Sequence, residues 1–407
     1  MAAAPTGFGG LVCEDLARAL RALGVVSPNS IQADAIPLAL SGRDVMTVAQ
    51  TGSGKTLVFL LPILQRLCEE AAAAAAEVPA GAGGGEAACW PSALVLAPTA
   101  DLAHQIAQVA SRLCAGCGLA GAVLAVGDVG AEAAPKARVA VGTPDGLLEG
   151  VARGALRLGR VRTVAIDEAD SVLLESGHSC CQAEADDLLR RLEEQPEPPQ
   201  VLLTMAHLRS DREDALVRRF PALQQVRHTG VLVPTLRQVH HYYRGDRGAK
   251  LLFVLKEALA DEFLSGGGTL VFCATPQDVE DVLALLEDKL PSCLPRALHS
   301  GTEPQARAEA LRDFRGGRVR LLATTDAAAR GLDLPNLRHV VMWDVPPDTT
   351  AWVHVAGRTA RRGQEGLVTC LVHADQQRKY QWDFQNHHAL KPAEQLRFET
   401  EGFAEGG

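Results

Sequence analysis

The chain has 407 residues, and at roughly 150 residues per domain this length implies two or three domains, each able to bury its own core and together more than one small module. With 47% hydrophobic and 22% charged residues it lacks the low-hydrophobicity, high-charge signature of a disordered chain. Lys and Arg number 40 against 49 Asp and Glu, and the net charge of −9 argues against a protein that coats nucleic acid or anionic membrane over its whole surface.

Along the chain, short apolar runs alternate with stretches of helical period. The strand-like runs are VMTVA at 45–49, SALVLA at 92–97, VAVG at 139–142, TVAID at 163–167 and QVLLT at 200–204. The pattern restarts with TLVFC at 269–273, RALH at 296–299, VRLLATT at 319–325 and HVVMW at 339–343. Strands alternating with helices form parallel sheets covered on both faces, so two α/β domains in tandem are expected. Residues 69–88, with a six-alanine run and a GAGGG segment, read as a surface insertion loop. Residues 226–236 lack helical period, contain Gly230 and Pro234, and read as the interdomain linker. His240-His241-Tyr242-Tyr243-Arg244 opens the second half as an amphipathic edge strand, with single-strand stacking as the functional alternative. Phe272, Met342 and Trp343 read as core or strand-end positions. The tail holding QQRKYQWDFQNHH is too short for a further domain and is expected to add a last strand and a terminal helix.

The longest apolar run, Leu57 to Leu64, falls far short of the roughly 18 residues of a membrane span. The opening MAAAPTGFGG has no basic segment followed by an apolar one, so an intracellular address is expected, nucleus or cytoplasm ahead of an organelle. Ten cysteines then read as small buried hydrophobes, with Cys114 and Cys117 the one CxxC and no second pair at zinc spacing.

The most specific local signal is AQTGSGKT, Ala49 to Thr56, between an apolar strand and the helical run LVFLLPILQRL. This is the strand, Gly-rich loop and helix arrangement of a phosphate loop, with Ala49 where the general pattern has Gly. Gly52, Ser53 and Gly54 turn backbone N–H groups toward phosphate oxygens at a helix N-terminus, Lys55 reaches the β- and γ-phosphates, and Thr56 can hold Mg²⁺. About 110 residues later IDEAD closes another strand. Asp167 at its end is placed to bind Mg²⁺ and Glu168 to orient and deprotonate an attacking water. An acidic run alone is ordinarily a solvated loop; paired with a phosphate loop it points to nucleotide hydrolysis.

Taken together, the motifs resemble those of the DEAD-box RNA helicases of helicase superfamily 2, in family order from Phe8 to about Gly366. GVVSPNSIQ, Gly24 to Gln32, looks like the Q motif, which implies that Gln32 reads the adenine edge and Phe8 buttresses the base pocket; Val25 replaces a frequent aromatic residue. With Phe8 so assigned, no untouched leader is expected before it, although a transit peptide removed ahead of this numbering is compatible with the reading. LVFCAT at 270–275 resembles motif IV, TTDAAARGLDL from Thr324 motif V, and HVAGRTARRG from His354 motif VI. The resemblance implies Arg358 and Arg361 as arginine fingers, Asp333 as a ribose contact, and Pro98, Thr99, Gly127, Thr143, Pro144, Arg307 and Thr324 as RNA-facing positions; Phe314 falls in the same motif register as Arg307.

Its implied fold is α/β, two tandem RecA-like domains, with an ATP-binding domain at 8–225, a linker at 226–236, a C-terminal helicase domain at 237–380 and a tail at 381–407. The implied activity is ATP- and Mg²⁺-dependent clamping and local unwinding of RNA. Several segments depart from the family pattern. PTRELA is here Pro98-Thr99-Ala100-Asp101-Leu102-Ala103, a glycine pair is Gly127-Asp128, and TPGR is Thr143-Pro144-Asp145-Gly146. Motif III, normally SAT, is Met205-Ala206-His207, and motif VI opens His354-Val355 rather than His-Arg. A weak RNA grip by the first domain is therefore expected. The other function class that fits is an ATP-gated RNA or protein binding module with little unwinding.

Overall fold

A computed structural model of the chain describes residues 7–49, 53–76, 88–126, 137–174, 181–205, 210–228, 235–329, 332, 334, 336–346, 349–361, 364–378 and 396–400. Gly52, Gly127, Asp128, Ala206, His207 and Asp333 lie outside these residues, as do 77–87 of the expected insertion loop, 229–234 of the expected linker and most of the tail. The chain divides between His228 and Thr229 into two units.

In the first unit a 3₁₀ turn at Phe8–Gly10 precedes α1 (Glu14–Ala22), α2 (Ser30–Leu40), β1 (Val45–Val48), α3 (Lys55–Ala76), β2 (Ala93–Leu96) and α4 (Ala100–Gly116). There follow β3 (Val123–Val126), β4 (Val139–Gly142), α5 (Pro144–Ala152), β5 (Thr163–Ile166), α6 (Ala169–Leu173), α7 (Gln182–Glu193), β6 (Gln200–Met205), α8 (Ser210–Arg219) and β7 (Gln224–Arg227). The seven strands form one parallel sheet in the order β3-β4-β2-β5-β6-β1-β7. Successive strand residues point to opposite faces, so Val45 joins one core cluster with Phe59, Leu60 and Leu113, while Met46 joins the other with Leu94, Ile166 and Leu188. Burial on both faces explains why the strands read as nearly unbroken apolar runs.

Two expectations are corrected here. Ala71–Ala76 is the end of α3 rather than loop, because alanine has the highest helix propensity and the run continues a helix already nucleated. Val226 and Arg227 belong to β7, where Val226 is buried and pairs with Thr47, and Leu236 opens the next strand, so these three residues of 226–236 are strand rather than irregular chain.

The second unit comprises β8 (Leu236–Tyr243), α9 (Arg247–Ala260), α10 (Glu262–Ser265), β9 (Gly268–Cys273), α11 (Pro276–Lys289), β10 (Arg296–Leu298) and α12 (Pro304–Arg315). It continues with β11 (Leu321–Thr325), α13 (Asp326–Ala329), β12 (Leu337–Met342), α14 (Thr349–Ala356), β13 (Gly366–His373) and β14 (Leu396–Thr400). Its sheet is again seven-stranded and parallel, in the order β10-β11-β9-β12-β13-β8-β14. The edge position expected for β8 is taken by β14, so the sheet extends into the segment read as a tail from 381. His240, His241, Tyr242 and Tyr243 are accordingly buried and offer no stacking platform. Phe272 and Met342 are core, whereas Trp343 is half-buried under the guanidinium of Arg247 at 4.6 Å.

Among the described residues no helix is long and apolar enough to cross a membrane, and no cluster of three or more His, Cys, Asp or Glu side chains is arranged to hold a metal ion. Cys114 of the CxxC is buried, and that burial pushes its thiol up to about 11 with Cys117 adding to the shift. A protonated buried thiol is a poor nucleophile.

Candidate active site

The strand order sets the site. β6 lies between β1 and β5, so the chain that leaves β1 into the phosphate loop, the end of β6, and the acidic turn after β5 emerge side by side at one sheet edge. In parallel sheets the carboxyl edge is where helix N-termini and loops gather around ligands.

Lys55 is the first residue of α3 and is buried, its Nζ donating to the carbonyl of Ala49 at 2.7 Å. The lysine thus folds back across its own loop. Ala49 keeps a negative φ and its backbone N–H donates to Met205 O, so glycine is not needed at this position. Gly54 is different: its φ is +74°, and a Cβ there would stand 2.5 Å from Nε2 of Gln32. Only glycine satisfies both the left-handed backbone and this close approach.

Gln32 and Asn29 brace the same loop. They form a capping box at the start of α2, each side chain accepting from the other's backbone N–H at 3.1 Å. Beyond that box, Gln32 Nε2 donates to Gly54 O at 3.0 Å and Asn29 Nδ2 to Ser53 O at 2.7 Å. The side chain of Gln32 is therefore committed to positioning the phosphate loop. Phe8 is 2% exposed and packs in the core of the first unit.

Asp167 follows β5 and is buried; its Oδ1 accepts from Thr204 Oγ1 at 2.6 Å and from the backbone N–H of Glu168 at 3.0 Å. Burial pushes its carboxyl above the usual carboxylate range and the charge of Glu168 adds to this, while the Thr204 hydroxyl and the Lys55 ammonium pull it back. Glu168 adopts φ 47°, ψ 51°, the left-handed region that a non-glycine residue enters only at a cost of about 1–3 kcal/mol. Its carbonyl accepts from Ser171 and Val172, which starts α6. The strained turn swings the glutamate out of the strand direction beside Asp167.

At the same edge, the neighbouring strands β2 and β4 lead into α4 and α5. Thr99 caps α4, its hydroxyl accepting from Leu102 N at 3.3 Å, with Pro98 half-buried before it. Thr143 is the cap residue of α5 and Pro144 its buried first position. Asp101 and Asp145 occupy the first turns of these two helices. Each carboxylate complements a helix dipole and removes attraction for an outside anion.

In the second unit, Thr324 is fully buried within β11 and its hydroxyl donates to Thr325 O at 3.1 Å, so the side chain expected to face RNA is enclosed in the sheet. Arg307 Nη2 donates to Ala328 O at 2.9 Å, tying α12 to α13. His354 and Val355 are buried on α14, and Arg358 just beyond it is 4% exposed. Arg361 donates from Nε to Gly357 O at 2.8 Å, a contact within its own motif.

Residues 29–214 match the profile described as DEAD/DEAH box helicase, and residues 250–363 that of the helicase conserved C-terminal domain. The ATP-dependent RNA helicase DbpA of Bacillus subtilis is 30% identical over 382 residues, covering 90% of this chain and 71% of DbpA. The chain belongs to the DEAD-box helicase family. DEAD-box ATP-dependent RNA helicase 35B of Oryza sativa subsp. japonica is 30% identical over 377 residues, 89% of this chain, but the match spans only 57% of that relative. S. cerevisiae Dbp5 bound to RNA and ADP BeF3 superimposes with a TM-score of 0.79 at 24% identity, covering 97% of this chain and 95% of that one, a likeness of fold. Both sheets are thus those of tandem RecA-like domains.

Within this DEAD-box chain, two site residues escape a motif reading: Asn29, visible only as a helix cap, and Thr204, a polar residue ending an apolar strand. Thr204→Val keeps the shape of a 1% exposed side chain but removes the hydroxyl from Asp167. A hydrogen bond to a charged group contributes about 1.5–3 kcal/mol, so ATP turnover is expected to fall about 10-fold or more. Steady-state phosphate release by the variant and the parent checks this.

Proposed function

We propose that the protein is an ATP-dependent RNA helicase that couples ATP binding and hydrolysis, in a cleft between its two RecA-like domains, to RNA clamping and local duplex unwinding. The observation that carries the reading is the convergence of Lys55, Asp167, Glu168 and Thr204 at the ends of three adjacent strands. Lys55 is held by a neutral carbonyl, a weaker partner than a phosphate oxygen, so its ammonium is already aimed across the loop that receives the nucleotide. The N-terminus of α3 adds backbone donors and a favourable dipole. Thr56 and Asp167 are the residues that would hold Mg²⁺, and the shared buried position of Asp167 and Thr204 suits a hard cation with oxygen ligands. Mg²⁺, when bound, supplies charge neutralisation on the phosphates. Glu168 acts as the base that orients and deprotonates water. Arg358 and Arg361 supply the further positive charge, which in such reactions is worth roughly 10³ to 10⁵ in rate. Asp333 contacts the ribose and Gln32 supports the nucleotide pocket through Gly54.

RNA is expected to cross the ends of α4 and α5 in the first domain and the region of Arg307 in the second. Asp101 and Asp145 weaken the first of these contacts, each lost charge-assisted hydrogen bond being worth roughly 1.5–3 kcal/mol. ATP turnover measured with and without single-stranded RNA, alongside displacement of a short duplex, tests the proposal. RNA-stimulated turnover with displacement is the expected result. Stimulated turnover without displacement identifies an ATP-gated clamp instead, and absence of ATP binding overturns both.

A further inference from the structure

The opposite edge of the first sheet carries a charge pattern that the nucleotide site does not use. Between Arg153 and Arg162 the chain reads RGALRLGRVR, four arginines and no acid in a protein of net charge −9. All four are exposed. The backbone gathers them with Trp90. Cys89 N donates to Ala155 O at 2.8 Å and Arg157 N to Cys89 O at 2.9 Å, so the segment before β2 runs beside the segment before β5. Ser92 N donates to Arg138 O at 2.7 Å, which brings a fifth exposed arginine to the same edge.

Trp90 is half-buried, with the guanidinium of Arg160 stacked 5.2 Å from its ring centroid. Gly159 passes against the ring edge. Arg153 pairs with Glu149, Arg162 with Glu197 and Arg138 with Glu70, but these are exposed pairs that salt screens and a polyanion displaces. Arg157 and Arg160 have no ion-pair partner among the described residues.

We propose that Trp90, Arg157 and Arg160, flanked by Arg153 and Arg162, form an auxiliary single-stranded RNA contact on the amino-terminal edge of the first sheet, separate from the edge that holds the phosphate loop. A planar arginine held on an indole presents both a fork for phosphate and a flat face for a base, the pairing by which single strands are gripped without sequence choice. The four residues of β5 separate the two edges by roughly 13 Å, so one extended strand long enough to leave the first edge reaches the second. The contact gives the domain a basic grip where its other RNA-facing helices carry Asp101 and Asp145.

This inference rests on RNA being the substrate, and the test separates the two claims. RNA affinity of the full chain is measured by fluorescence anisotropy over a salt series with a non-hydrolysable ATP analogue, using single strands of about 10 and about 30 nucleotides. Arg157→Ala/Arg160→Ala is expected to lower the salt slope for the longer strand by about 1.4 and its affinity roughly 10-fold at about 0.1 M salt. Affinity for the short strand and RNA-free ATP turnover remain those of the unmodified protein. Trp90→Ala is expected to weaken the longer strand about 5-fold or more. Equal affinity and slope for the double variant and the parent overturn the auxiliary contact while leaving the helicase reading intact. Failure of the parent to bind either strand overturns both. Preferential capture of polyglutamate at these arginines, with RNA binding unchanged in the variant, assigns the edge to an acidic protein and also overturns the proposal.

Discussion

Glu168→Gln is expected to lower ATP turnover by about 10²- to 10⁴-fold while leaving nucleotide affinity within a few-fold, the range set by loss of a general base. The turn that presents residue 168 is held through its backbone and not its side chain: its N–H donates to the Asp167 carboxylate Oδ1 and its carbonyl accepts from Ser171 and Val172. An isosteric amide keeps that turn and cannot take a proton. Lys55→Ala is expected to behave differently, because it removes a buried ammonium to which the proposed function gives both phosphate binding and charge stabilisation. Affinity and turnover are expected to fall together there, turnover by about 10²-fold or more. Titration with a fluorescent ATP analogue and steady-state phosphate release distinguish the two patterns. Equal losses of affinity in both variants would contradict the assignment of Glu168 as the base.

Phosphate loop and acidic turn were legible because each is a local pattern: an apolar strand, a fixed spacing, and a helix that follows. The same holds for most strands, whose burial on both faces leaves unbroken apolar runs. Thr204 was not legible, since its contact with Asp167 comes from the register of β6 against β5, which pairs Ile166 with Leu203 and brings the next residues together. β7 escaped because QQVR has one inward apolar residue and exists through its pairing with β1. Thr324 is named by motif position alone; its burial comes from the register of β11 between β10 and β9, where it pairs with Leu298 and Phe272. Ala71–Ala76 shows composition pulling one way and helix propensity the other, with the existing helix deciding the outcome.

Acid is expected to destabilise the second domain steeply. His240 and His339 lie in the sheet at 1% exposure each, and burial is the main cause that lowers their pKa values, to about 4 and about 3 from 6.5. The charge of His241 lowers both further, and Asp261 partly opposes the shift at His339. His339 is hydrogen-bonded through Nε2 to Thr369 Oγ1 at 2.8 Å, a contact that serves its neutral form within the sheet. Above pH 6.5 both states of the chain hold these rings neutral and stability is unaffected. As pH falls below 6.5 the unfolded chain takes up protons that the folded domain refuses, so stability drops until the folded values are reached. Each such proton costs about 1.4 kcal/mol per pH unit, or about 2.7 for the pair. Two units below the ordinary histidine value the loss is about 5 kcal/mol, comparable with the whole stability of many domains. Urea denaturation in a Trp90→Phe background measures it, because the remaining tryptophans, Trp343, Trp352 and Trp382, all follow residue 228. Trp352, 1% exposed and donating to the sulfur of Cys370, reports loss of the core directly. His339→Gln is expected to halve the pH slope between about pH 6 and about pH 4.5. An unchanged slope would remove His339 from the acid response, and a flat profile in the parent would refute the role of both histidines.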